Sequence, residues 1–134
     1  MKKGYFIFLL LITLTLTACM QYESYIYEGE SKHWKGKYEV FSNDGEMYTY
    51  KLTLQYKRNA SELAHTEKIT FSFKKSRQSA IETMEYEIGD DPKKGAYMNV
   101  WSSSTGNWFT EETISTVTIE WDGLEEIIEL QNQD

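Results

Sequence analysis

Tyr48-Thr49-Tyr50-Lys51-Leu52-Thr53-Leu54-Gln55-Tyr56 decides the fold. In an extended chain, Tyr48, Tyr50, Leu52, Leu54 and Tyr56 fall on one side, and Thr49, Lys51, Thr53 and Gln55 on the other. A period of two predicts a strand with one buried and one wet face. The preceding segment repeats the pattern: Trp34, Tyr38 and Val40 alternate with Lys35, Lys37 and Glu39. Asn43-Asp44-Gly45 lies between the two segments and predicts a hairpin turn.

The same alternation continues outward from this pair. Ile69, Phe71 and Phe73 share one side, as do Met84, Tyr86 and Ile88, and then Val117, Ile119 and Trp121. Asp122-Gly123 predicts a turn into a last strand over Leu124 to Leu130. Tyr97 to Ser102 reads as a less regular strand. Residues 59–66, 89–95 and 102–107 read as loops. No long amphipathic helix is present, which excludes an α/β fold with crossover helices. The expectation is an all-β, antiparallel β-sandwich (Ig-like) of about seven strands, with a small closed β-barrel as the alternative. Trp34 and Trp121 belong to its core.

The N-terminus has a different character. Lys2 and Lys3 precede an uncharged run from Tyr5 to Leu16. As a helix this run would cover about 18 Å, well short of the roughly 30 Å of a bilayer core. It fits a secretory signal peptide. Leu16-Thr17-Ala18-Cys19 follows and holds the sole cysteine of the chain. These four residues resemble a bacterial lipobox. The resemblance implies cleavage before Cys19 and a diacylglyceryl group on its sulfur. The expected organisation is residues 1–18 as lipoprotein signal peptide, 19–28 as lipidated N-terminus and tether, and 29–134 as the β-sandwich domain. Two acyl chains give stable anchoring where one gives only reversible binding. The expected location is therefore the extracytoplasmic face of the cell membrane.

Charge narrows the partners. The whole chain carries −7, and loss of residues 1–18 with Lys2 and Lys3 makes it −9. Nucleic-acid affinity comes from Lys and Arg on phosphates, so nucleic acid is not expected. An anionic membrane surface would also repel the domain, which leaves the lipid on Cys19 as the membrane contact. The other expected partner is an envelope protein or a wall component.

Few residues offer chemistry. His33 and His65 are the only histidines and lie on unrelated segments, too few for a zinc site once Cys19 is acylated. His33 is expected at the surface, pointing away from Trp34. Asn43-Asp44-Gly45-Glu46 and Asp90-Asp91 lack the spacing of a calcium loop. Glu82, Glu85 and Glu87, like Glu111 and Glu112, read as solvated faces and not as an acid–base pair. Ser102-Ser103-Ser104 has no nucleophile context. No cofactor, metal or catalytic residue is expected. Tyr97, Trp101 and Trp108 are expected to cover the open end of the core; their alternative role is to face a ligand, since exposed aromatics stack on sugars or anchor protein partners.

Gly29-Glu30-Ser31-Lys32-His33-Trp34, with Lys35 to Tyr38 after it, resembles the G-E-S-x-x-W opening of small lipoproteins of Gram-positive, Bacillus-like bacteria. Ile119-Glu120-Trp121 with Gly123, Glu126 and Leu130 is similar to their closing hairpin. The resemblance implies an envelope location and a β-rich fold, and it carries over no catalytic residues. The functional expectation is a non-catalytic binding or interaction module of the bacterial cell envelope. A lipocalin-like carrier of a small apolar ligand and a carbohydrate-binding module are the alternatives.

The anchor is directly testable. Cells fed a clickable palmitate analogue should label the wild-type protein, and Cys19→Ala should lose that label and leave the membrane fraction. Equal labelling of the two would refute the lipobox reading.

Overall fold

The computed structural model describes residues 23–73, 81–105 and 115–133, together with the isolated Gly4. Eight strands run in chain order as β1 (Glu23–Glu30), β2 (Trp34–Ser42), β3 (Met47–Tyr56), β4 (Lys68–Phe73), β5 (Glu82–Glu87), β6 (Tyr97–Thr105), β7 (Ser115–Trp121) and β8 (Leu124–Asn132). A one-turn 3₁₀ helix, Ala60–Leu63, and a short α1, Pro92–Ala96, interrupt segments read as loops in the sequence. Both have local causes. Asn59 accepts from the Ser61 amide, and Asp91 accepts from the Lys93 amide with Pro92 at the first helical position.

The fold is all-β and antiparallel, as the alternation predicts. All eight strands belong to one curled sheet in the order β5-β4-β7-β8-β1-β2-β3-β6. This differs from the seven strands in two separate sheets of an Ig-like sandwich. It also differs from a closed barrel, because among the described residues β5 and β6 each pair on one side only. The sheet folds back on itself at the join of β1 and β8. That join has only two register pairs, Tyr27 with Asn132 and Glu28 with Gln131. Either side of it, β6-β3-β2-β1 and β8-β7-β4-β5 form two leaves whose inner faces meet.

The inner faces carry the predicted side chains. Trp34, Tyr38, Val40, Tyr48, Tyr50, Leu52, Leu54 and Tyr56 are buried, as are Ile69, Phe71, Phe73, Val117, Ile119 and Trp121. Rings from opposite leaves touch: Trp34 meets Trp121 edge-on at 5.6 Å, and Tyr38 lies 6.4 Å from Phe73. Packing of this kind is worth about 0.5–1.5 kcal/mol per ring pair beyond the area it buries. β5 departs from the pattern. Ile88 is buried, but Met84 is exposed, because β5 is the sheet's outer edge with a neighbour on one side.

The N-terminal boundary also differs. The expected tether over 19–28 is, from Glu23 onward, strand β1 in the middle of the sheet. Tyr25 and Tyr27 follow the two-residue period, Tyr27 is buried, and eight register pairs join β1 to β2.

Both predicted turns are built as expected. Asp44 Oδ1 accepts from the amides of Glu46 (2.8 Å) and Met47 (2.9 Å), with Gly45 at φ 75°. These amides hold the Asp44 carboxyl below its usual range. The aspartate thus closes the turn. Asp122 and Gly123 take φ 49° and 76°, the two positive values that a tight two-residue hairpin needs. Thr66 donates to Asp122 at 2.6 Å and ties the 3₁₀ segment to this turn.

Gly29 makes the fold-back possible. A Cβ there would lie 2.1 Å from the Glu129 carbonyl oxygen, a backbone atom that cannot move aside. A Cβ at Gly36, which pairs with Gly29, would lie 3.2 Å from Leu130 Cδ2, the end of a flexible side chain. Gly29→Ala is therefore expected to destabilise the protein by about 3 kcal/mol or more, and Gly36→Ala by about 1 kcal/mol. Urea unfolding followed by tryptophan fluorescence checks this ranking, and the reverse order would refute the fold-back geometry.

Candidate functional site

Residues facing away from the core on β1, β2, β3 and β6 form one open surface. Register sets them in rows across the strands. Ile26, Glu39, Lys51 and Trp101 make one row; Glu28, Lys37, Thr53 and Asn99 the next; Glu30, Lys35, Gln55 and Tyr97 a third. Local sequence dictates this. Met98 is buried and Val100 packs against the core, so the period of two turns Tyr97, Asn99 and Trp101 outward.

Trp101 is 58% exposed and Tyr97 53%. Their expected role in closing the core is thus corrected; the core residues of β6 are Met98 and Val100. Trp108, the third aromatic singled out in the sequence, lies outside the described residues, as do Leu16, Thr17, Ala18 and Cys19. Trp101 is exposed yet oriented. Lys51 Nζ sits 4.7 Å from its ring centroid, a cation–π contact, and Phe41 meets it edge-on at 6.5 Å. Tyr97 and Trp101 stand about 13 Å apart along β6. Between them Thr53 donates to Asn99 Oδ1 at 2.9 Å. A depression of about 300 Å³ opens over β2 and β3, bounded by Tyr97 and Gln55 at one end and Lys51 and Glu39 at the other.

A second cluster sits where the leaves join. Glu126 of β8 accepts from Ser31 Oγ at 2.6 Å, from the His33 amide at 2.8 Å and from His33 Nδ1 at 2.5 Å. His33 is wedged in place, stacked on Tyr56 (6.1 Å) and edge-on to Trp121 (5.7 Å). Its expected surface position is corrected: the side chain is 17% exposed. The reason is a partner 93 residues away that no local pattern reveals. Ser, His and Glu here do not form a nucleophilic triad. In a triad the imidazole lies between hydroxyl and carboxylate and takes the hydroxyl proton. In this cluster the carboxylate lies between the other two, and both donate to it. The arrangement clamps the β1–β2 turn to β8.

Two environments shift titration nearby. Burial opposes the charge on Glu126, but the bonds from Ser31 and His33 outweigh it and hold the carboxyl below its usual range. Burial, then the hydrogen bond to Glu62 at 2.8 Å, pushes the Tyr56 hydroxyl up to about 12. His65 is exposed on the segment after the 3₁₀ helix and is not brought to His33. Glu85 is exposed and paired with Lys68 at 3.1 Å. Glu111 and Glu112 lie outside the described residues. Among the described residues, no group of three or more His, Cys, Asp or Glu side chains is placed to hold a metal.

The clamp has a pH signature. A carboxyl lowered by folding stabilises above its unfolded value of about 4.3, and that contribution disappears as pH falls through the lower folded value. Glu126→Gln is expected to lose about 1–2 kcal/mol at pH 7. The gap to wild type should narrow as pH falls from 5 toward 2. Urea midpoints across that range check it, and a pH-independent gap would refute the charge-based account.

Comparison with protein-family models, curated proteins and solved structures gives no match for this chain.

Proposed function

We propose that this chain is a lipid-anchored, non-catalytic binding module on the extracytoplasmic face of a bacterial cell membrane. Its recognition surface is the outer face of β1, β2, β3 and β6. The observation that carries this reading is the exposure of Trp101 and Tyr97 on a face whose other positions are mostly polar. Large aromatics left in water on a strand with a filled inner side favour a contact surface.

The two leaves act as a sandwich-like support for that surface. The inner rings meet across the interior, Trp34 on Trp121 and Tyr38 near Phe73, which favours a packed support over a lipocalin-like carrier. The lipobox at Leu16-Thr17-Ala18-Cys19 and the acidic charge support anchoring by lipid on Cys19. With β1 beginning at Glu23, only three residues separate Cys19 from the sheet, so the domain sits close to the lipid. The Asn43–Gly45 hairpin, beside the start of β1, then faces the membrane. The Glu126 clamp lies at the far end.

The test is photo-crosslinking in living cells from a benzophenone amino acid at position 103, next to Trp101 in strand β6, with position 127 on the opposite leaf as control. Residue 103 should capture a discrete envelope protein or wall-bound material, and residue 127 should not. Indistinguishable products from the two positions would sink the proposal.

A further inference from the structure

We infer that the outer face binds an extended, uncharged, β-linked polysaccharide chain, with one sugar ring stacked on Tyr97 and another on Trp101. This rests on the recognition-face reading above and names its ligand class.

Four observations carry it. First, both rings stand on one unbroken strand: β6 pairs with β3 through nine consecutive register pairs, Met47 with Thr105 to Gln55 with Tyr97, without a bulge. A ligand touching both rings must itself be extended over about 13 Å, which exceeds one sugar ring and fits a short run of a β-linked chain. Second, the space between the rings is polar. Asn99, Thr53 and Gln55 offer amide and hydroxyl groups in the hydrogen-bond range of sugar hydroxyls. A protein hot spot instead needs contiguous apolar area that excludes water, and here a polar row separates the aromatics.

Third, charge is balanced on this face alone. Lys35, Lys37 and Lys51 offset Glu28, Glu30 and Glu39, in a chain whose total is −7. A polyanion meets three carboxylates and a polycation three ammonium groups, whereas an uncharged chain meets neither penalty. Fourth, Trp101 is held ready. Lys51 and Phe41 restrict the indole while 58% of the residue stays open, so little ordering accompanies stacking.

The experiment uses the full-length protein in a polyoxyethylene detergent, which carries no sugar headgroup. A hexamer of β-1,4-linked N-acetylglucosamine is titrated by calorimetry and tryptophan fluorescence, and sedimentation with purified wall sacculi runs in parallel. Saturable binding is expected. Trp101→Ala and Tyr97→Ala should each weaken it about tenfold or more, and Trp101→Phe should weaken it less. Ile127→Ala, 56% exposed on the other leaf, should leave it unchanged. Unaltered circular dichroism and urea midpoints in the variants separate lost binding from lost folding. Absence of binding to both hexamer and sacculi overturns the inference, as does equal binding by a Tyr97→Ala/Trp101→Ala double variant. If position 103 still crosslinks specifically to an envelope protein, the glycan assignment alone falls. If neither experiment gives a signal, the recognition face falls with it.

Discussion

The structure depends on how close two backbones come at Gly29. β8 passes over β1 there with its Glu129 carbonyl in the space a side chain would take. Only two register pairs hold this crossing by sheet hydrogen bonds. A single sheet can therefore bend sharply at this point and bring its two halves face to face. The remaining cohesion comes from side chains gathered around the crossing. Leu130 and Ile128 lie over Gly36, Trp34 meets Trp121, and Glu126 collects Ser31 and His33.

This arrangement gives one meaning to two sequence motifs that are far apart in the chain. Gly29, Ser31 and Trp34 of the opening segment each make a different contact at the join: an empty Cβ position, a hydroxyl donor and a core ring. Trp121, Glu126 and Leu130 of the closing hairpin lie at the same join, and Gly123 serves its turn. Glu126 alone collects three donors in a partly buried spot. The charge is tolerated because those bonds replace the water it loses.

The two faces of the first leaf do separate work. Inward, tyrosines, leucines and tryptophan fill the interior. Outward, charged and neutral polar rows surround Tyr97 and Trp101. The edges differ as well. β5 carries Glu82, Glu85 and Glu87, charges that discourage another strand from pairing. β6 carries no charged residue, and its aromatics point sideways from the strand, out of the sheet plane. The β2–β3 hairpin and the start of β1 lie together, so the proposed attachment at this end sets the outward face upright from the membrane.

Much of this was legible locally. The period of two identified β2, β3, β4 and β7 and their buried sides, because a pleated strand exposes alternate residues whatever it pairs with; β8 was placed by the turn before it. Asn43-Asp44-Gly45 and Asp122-Gly123 announced their turns, because positive φ restricts residue choice at single positions. β1 was legible only in part: Tyr25 and Tyr27 showed the period, but a strand of mixed polarity without a flanking turn signal looks like a tether. The tertiary structure alone decided the rest. It decided that the leaves belong to one sheet, that His33 turns inward to Glu126, and that Trp101 and Tyr97 face water. Each of these depends on which distant segment arrives at a given face. Alternation says that a strand has two sides, and the packing of the other leaf settles which side is the inside.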